Sequence, residues 1–487
     1  MKLKAFRIAL FTLISIAAAV PVSAQNVLHL SLREVTEVAL QNNFDIQLAK
    51  YESWIKKTDE MQVKSIFDTI FDAEVRYQDD QSARASTVFG TQTRDNDYNV
   101  GVSKLLPTGT DVRLYMTNER DATNSQFSTA PVTHDSTLGV SVEQALGKNF
   151  FGLQDRGQVQ ITQIDIQNSR FTSLDRIEQA VAEVQRAYWD LVLQRKRVEI
   201  EKDMLEQAQK LYELQQRKLN DGLVELPDAI AAEANFEAAK NRLRLAQNSY
   251  DSRVNVLKLQ INRTDLEITI EPTVKLRLPE EDQATIASLG RAFKNRRDYL
   301  SALNDAKSRD IQVTINRNGL LPEINLIASL ERNGLGDHFS DSAKAISESD
   351  NPNLFAGLRV VYPLENLRAR AELNAAELEK ARVLLNTNYI EKTISIDIVD
   401  QVRDCNVLAE VARNEAQISD LQIKKLEEEQ KRFNRGRSST DIIIRFQEDV
   451  IQARLSAAEA IYRYHLALIE LQRREATLLA EYWTEDL

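Results

Sequence analysis

Cysteine is nearly missing from this 487-residue chain: Cys405 is the one thiol, so no intrachain disulfide framework can form whatever the compartment. Histidine is scarce too. His29, His134, His338 and His465 are scattered without metal-ligand spacing, and neither an HExxH nor a GxSxG string occurs. No catalytic, cofactor-binding or metal-ligating constellation can be assembled from them, which puts an enzyme last among the functional classes. A basic excess is also lacking, since the formal charge is −11 and an acidic surface repels nucleic acid. With 9 prolines and 14 glycines among abundant helix formers, the composition predicts a few long helices rather than the roughly three ordinary domains its length suggests.

Long hydrophobic runs are the most informative absence. Beyond Val20 no stretch approaches the roughly 18 apolar residues of a membrane helix, so any membrane crossing has to use strands of a closed barrel. The start of the chain reads differently. Lys2, Lys4 and Arg7 precede the mostly apolar Ile8 to Val20, and Val22-Ser23-Ala24 carries the small residues of a cleavage site, so a secretory signal is expected over residues 1–24. An uncleaved anchor is the competing reading, weakened by an apolar run of only 13 residues. No Cys follows the cleavage point to carry a lipid, and losing the three basic residues leaves a charge of −14.

Self-comparison finds two similar halves, and internal repeats decide a fold before any motif does. The strings ALQNNFDIQLA from Ala39 and AFKNRRDYLSA from Ala292 match at Ala39/Ala292, Asn42/Asn295, Asp45/Asp298 and Ala49/Ala302, each pair 253 positions apart. Later matches at Gly222/Gly436, Ala239/Ala453, Tyr250/Tyr464 and Leu257/Leu471 are 214 apart. The first half is thus 39 residues longer in its middle, around Phe71 to Gly147.

From Ile177 an apolar residue recurs at every seventh position: Val184, Leu191, Val198, Leu205, Tyr212 and Leu219. A strict seven-residue period on a 3.6-residue helix demands left-handed supercoiling with partners. The alternate positions turn polar at Arg195, Lys202, Gln209 and Gln216, which argues against a simple two-stranded zipper. The second half offers Ile398, Cys405, Ala412, Ser419, Leu426 and Phe433, so Cys405 reads as a small buried seam residue rather than a reactive thiol. The returning helices have seams at Phe236, Leu243, Tyr250 and Leu257, and at Val450, Ala457, Tyr464 and Leu471.

Two regions alternate with the period of a strand. Phe71 to Gln78 alternates without a break, followed by the sets Tyr98, Val100, Val102; Val112, Leu114, Met116; and Leu138, Val140, Val142, with a turn at Pro107-Thr108-Gly109. The second half has Ile324 to Leu330 and Leu354 to Val360, joined by a loop rich in Gly, Ser, Asp and Asn. One greasy and one wet face suits lipid outside and water inside, with a soluble sheet as the alternative. So few strands cannot close a barrel in one chain, so a membrane reading requires oligomerisation.

The recurring AL..N, the strand-end strings KLLPTGT and YPLENLRAR, and the duplicated G…D helix turns give a resemblance to the TolC-type outer-membrane efflux proteins across essentially the whole mature length. That resemblance implies a mainly α protein with membrane β: a trimer sharing one barrel of about four strands per protomer, continued by a long periplasmic α-helical coiled-coil barrel, with two structural repeats per chain. Two departures stand out. The first half has about four strand-like segments where the family pattern needs two, leaving open which pair enters the barrel. Gln144-Ala145-Leu146 stands where the family commonly has Pro after Gln.

The expected organisation is a signal over 1–24, a first repeat over 25–280 and a second over 281–487. The first comprises a helix at 31–65, strands and loops within 68–147, a long helix at 155–219 and a return helix at 228–262. The second comprises a helix at 284–317, strands within 322–362, a long helix at 365–434 and a return helix at 441–484.

The turns NDGLVELPDAI and NRGRSSTDIII end the long helices at Gly222 and Gly436, suited to left-handed caps, and open the next with Asp228 and Asp441. An acid in a first turn also satisfies the helix dipole. The resemblance implies more: Asp441 would line a constriction as a carboxylate ring in the trimer, and Asp228 would be locked by Arg437 or Arg435. The turns align imperfectly, since Gly222 stands six residues before Asp228 and Gly436 five before Asp441.

The function so implied is an outer-membrane channel subunit, the passive exit duct of a tripartite efflux or type I secretion system. Its partners would be two more copies, a periplasmic adaptor, an inner-membrane transporter and outer-membrane lipid. The alternative is a soluble periplasmic coiled-coil adaptor, which would need a compact β-domain in place of amphipathic strands.

Overall fold

The computed structural model describes residues 26–86, 88, 90–265, 268–280, 282–348 and 351–482; the expected signal segment, 1–24, lies outside them. In chain order, β1 (Asn26–Leu30) leads into α1 (Leu32–Asn42), α2 (Phe44–Lys57) and α3 (Asp59–Lys64). Four strands follow: β2 (Thr69–Asp80), β3 (Thr93–Leu106), β4 (Thr110–Thr123) and β5 (Val132–Ala145). Helix α4 (Leu153–Asn220) runs for 68 residues and α5 (Leu226–Gln260) for 35. The second half has β6 (Ile268–Pro272), α6 (Thr285–Asn295), α7 (Arg297–Asn318), β7 (Glu323–Gly336), α8 (Phe339–Glu348) and β8 (Pro352–Val361). It closes with α9 (Leu367–Asn434), again 68 residues, and α10 (Thr440–Arg474), again 35. Among the described residues no helix is long and apolar enough to cross a membrane.

The single helix expected over 31–65 is in fact three. Asn43 leaves the helical region at φ −64°, ψ 133°, and its side-chain oxygen accepts from the Ile46 N–H at 3.1 Å, starting a new helix with an N-cap. The helix expected over 284–317 breaks likewise at Arg296, whose backbone is extended at φ −60°, ψ 119°. The return helix expected over 441–484 stops at Arg474, where Ala476 takes a left-handed φ of +53° and the Thr477 N–H reaches the Gln472 carbonyl at 2.9 Å. The loop expected between the last two strands contains α8.

The chain forms two compact units. One comprises residues 26–39, 184–277 and 415–462. In it β1 and β6 pair in parallel from Asn26↔Ile268 to Leu30↔Pro272, and the buried Tyr188 hydroxyl donates to the Leu30 carbonyl at 3.0 Å. Ser31 and Glu34 form a capping box at the start of α1, with the Ser31 N–H donating to the Glu34 carboxylate at 2.7 Å and the Glu34 N–H to the Ser31 hydroxyl at 3.3 Å. The helices join through apolar clusters of Ile200, Met204, Leu426, Val450 and Ile451, and of Leu211, Ala232, Phe433 and Ile443.

The other unit comprises residues 40–183, 278–414 and 463–482. Its helical part centres on Ala292, Ile394, Ile398, Val402, Cys405, Ala467 and Leu471. Burial raises the Cys405 thiol to about 11, as befits a packing residue. This unit also holds a single antiparallel sheet in the order β2-β3-β4-β5-β7-β8. Where about four barrel strands per protomer are expected, the sheet of the single chain has six: all four first-half segments join the two second-half strands in continuous register.

Candidate channel wall and tip

The sheet is greasy on one face and charged on the other. One row across all six strands reads Phe71, Val102, Leu114, Val140, Leu330 and Leu354, fixed by the pairings Phe71↔Val102↔Leu114↔Val140↔Leu330↔Leu354. These side chains are exposed in the chain, Phe71 by 67% and Leu354 by 76%, and residues two or four along on the same face, such as Val75, Val100, Leu326 and Leu358, repeat the pattern. An apolar face this broad needs an apolar partner.

The opposite face carries ion pairs between strands. The Arg76 guanidinium donates to Asp97 at 2.6 Å, Arg113 to Asp72 at 2.9 Å, and the Asn325 amide to Glu143 at 2.8 Å. The Tyr115 hydroxyl bonds Glu331, and Arg359 lies 3.6 Å from Glu143. Carboxylates outnumber the arginines on this face, where Asp95 and Asp121 stand directly opposite each other, as do Asp97 and Glu119. Like charges facing across a strand pair are tolerated where water screens them.

Helix α8 covers the apolar face at the ends of β5 and β7. The hydroxyls of Ser136 and Ser342 lie 2.7 Å apart, and Ile346 is buried there. Gly334 permits that approach, because a Cβ would sit 2.2 Å from the Ser342 carbonyl oxygen.

The two helix turns are built alike. Gly222 has φ +65° and donates to Leu219 at 3.0 Å while the Leu223 N–H reaches Lys218 at 2.8 Å; Gly436 has φ +71° and donates to Phe433 at 3.0 Å while Arg437 reaches Arg432 at 2.9 Å. Both close their helices with the same left-handed cap. Asp228 and Asp441 fall in the first turns of α5 and α10, with Asp228 half-buried and Asp441 exposed. Arg435 and Arg437 are exposed, and among the described residues no ion pair joins either to Asp228 or Asp441. The structure thus places all four at the turns of one unit without pairing them in the single chain. Beneath the turns, the buried Gln215 amide donates to the Thr440 hydroxyl at 3.0 Å, Asn235 to Gln447 at 3.1 Å, and the rings of Tyr212 and Phe236 stack at 5.6 Å.

Residues that sequence reasoning missed hold the helices in the other unit. Glu178 is fully buried and bonded to Arg297, with the Leu479 N–H donating to it at 3.3 Å; burial pushes its carboxyl up, against the pull of Arg297. Arg291 grips the buried Glu475 with two bonds, at 2.6 and 2.8 Å. Arg297 lies in the repeated string, but its partner Glu178 is 119 positions away and nothing local announces it.

No family model matches the chain, and no curated protein matches its sequence. Solved structures do match its fold. The Neisseria gonorrhoeae MtrE outer membrane channel, crystallised in its open state, is 16% identical with a TM-score of 0.65, covering 94% of each chain. The Campylobacter jejuni CmeC outer membrane channel is 16% identical with a TM-score of 0.64, over 92% of this chain and 85% of that one. The outer membrane protein VceC of Vibrio cholerae is 16% identical with a TM-score of 0.62, over 90% and 95%.

Proposed function

This chain has the fold of TolC-type outer-membrane channels, and we propose that it is itself a channel subunit of the bacterial outer membrane, extending into the periplasm as the passive exit duct of a tripartite efflux or type I secretion system. The observation that carries this reading is the sheet: a broad apolar face left exposed except where α8 packs on it, backed by a face of charges. Hydrocarbon outside and water inside satisfy both, provided that copies of the chain close the sheet, because lipid cannot satisfy an open edge. A homotrimer with one shared barrel meets that requirement. The soluble-adaptor alternative leaves the apolar face in water.

The equal lengths of α4 and α9, and of α5 and α10, support descent of the two halves from one duplicated hairpin. Energy for export then comes from partners, an inner-membrane transporter coupled through a periplasmic adaptor. At the tip, Asp441 from three copies would form a carboxylate ring, and Asp228 would take its arginine, Arg437 or Arg435, from a neighbouring copy. Three carboxylates brought together attract cations and repel one another.

The test is fractionation followed by conductance. The account expects the chain in detergent extracts of outer membranes at the mass of a trimer, forming low-conductance channels in planar bilayers that Asp228→Ala with Arg437→Ala opens. A monomer in the soluble periplasmic fraction rejects the channel; an unchanged conductance in the double variant rejects the gate alone.

A further inference from the structure

The channel wall itself departs from four strands per subunit, and the departure has a geometric consequence. The hairpin β3–β4 is neither a loop nor a flap: it pairs with β2 from Thr69↔Lys104 to Asp80↔Thr93 and with β5 from Thr110↔Gln144 to Ala122↔Val132. Its outward residues Val102 and Leu114 stand in the same apolar row as Val140 and Leu330. The inward residues Asp97 and Arg113 bond Arg76 and Asp72 of β2. A hairpin lying outside the wall would break these ladders and turn charges toward lipid.

The two sheet edges are also matched. The outer strands β2 and β8 each have one unpaired side among the described residues, and both carry apolar residues on the same face, Phe71 and Val75 on one and Leu354 and Leu358 on the other. Every neighbouring pair in the sheet is antiparallel and the strand number is even, so β2 and β8 run oppositely. An antiparallel join of β8 of one copy to β2 of the next therefore continues both the pattern and the two faces.

We propose that the occupant of each edge is a second copy of this chain, joined β8 to β2, and that three copies close a barrel of 18 strands rather than 12. The count of three rests on the function proposed above; the count of six per chain rests on the sheet. Barrel diameter grows about linearly with strand number, so the membrane pore is about 1.5 times as wide as a 12-stranded one, in the size range of porins. The barrel mouth is then no constriction to cargo, and selection falls to the helical tip.

Electron cryomicroscopy of the detergent-extracted assembly tests this. An 18-stranded wall with β8–β2 junctions is expected. A closed 12-stranded barrel with β3–β4 outside it overturns the proposal while leaving the channel reading intact, and a particle with no closed barrel overturns both. A second measurement avoids dependence on imaging: Val102→Arg on the hairpin should abolish outer-membrane assembly as completely as Val140→Arg on β5. Normal assembly of the Val102 variant beside loss of the Val140 variant takes the hairpin out of the wall, and normal assembly of both rejects lipid contact altogether.

Discussion

The sheet and the helices of this chain distribute apolar residues in opposite ways. In the helices the apolar stripe is covered: Ile398, Cys405, Ala412, Ser419, Leu426 and Phe433 of α9, seven apart, are all buried, and the charges that share the interior are paired, as Glu178 is with Arg297. In the sheet the apolar face is exposed beyond the patch under α8, and the ion pairs sit on the other side. The same chemistry points in opposite directions in the two regions. Water drives apolar groups together between helices; under the proposed function, hydrocarbon takes up the sheet's apolar face and water its charged side.

Four perturbations sharpen or break that contrast. The largest effect is expected from Arg297→Ala, which strands the buried Glu178 carboxylate; losing one partner of a buried pair costs about 3–5 kcal/mol, read as a lower urea midpoint for the helical part. If the midpoint holds, the helical interior is wetter than described. Next comes Leu330→Arg on the apolar face, with Ser329→Arg beside it on the charged face. An arginine near the bilayer midplane costs about 2–4 kcal/mol, so the first should reduce assembled protein in outer membranes and the second should not; equal outcomes erase the distinction between the faces.

Acid probes a smaller effect. Burial alone would raise the Glu470 carboxyl, but hydrogen bonds from Arg473 and Arg474, the former at 2.7 Å, bring it down to about 2. A carboxyl depressed in the folded state contributes stability above its ordinary value of 4.5 and loses it as pH falls from there toward 2. Thermal scans across that window should show a decline that Glu470→Gln flattens. The smallest effect is at the caps: Gly222→Ala or Gly436→Ala puts a Cβ on a left-handed residue with open space around it, costing about 1 kcal/mol through the backbone alone. A larger loss in the assembly, measured by thermal dissociation, would mean that a neighbouring copy packs on the turn.

The sequence made some of this legible and hid the rest for physical reasons. The α9 seam was readable because seven-residue spacing persists even where the residues shrink to Cys405 and Ala412. The α4 seam was readable only to Leu191. Beyond it the buried row passes to Ile200, Met204, Ala208, Leu211 and Gln215, while Val198, Leu205, Tyr212 and Leu219 are half-buried. Two apolar rows run there side by side, and periodicity cannot choose between them when a helix has neighbours on two sides. The helix breaks at Asn43 and Arg296 were hidden because apolar spacing continues across them. Strand alternation was plain, but the pairing of all four first-half strands was not, since register depends on partners far away in sequence, such as Ser136↔Gly334. Glycine and aspartate spacing located the two turns, whereas the roles expected of Asp228, Asp441, Arg435 and Arg437 came from the family resemblance, and in the single chain no ion pair among the described residues joins them.

The central claim is that the sheet is a wall between lipid and water, and β5 tests it most directly. Single cysteines placed in turn at Leu138, Val140, Ser141, Val142 and Glu143, labelled with a fluorophore in the reconstituted assembly, should divide by face. A quencher in the lipid tails should reach positions 138, 140 and 142, and a water-soluble one positions 141 and 143. Uniform access of the aqueous quencher to all five would contradict the account.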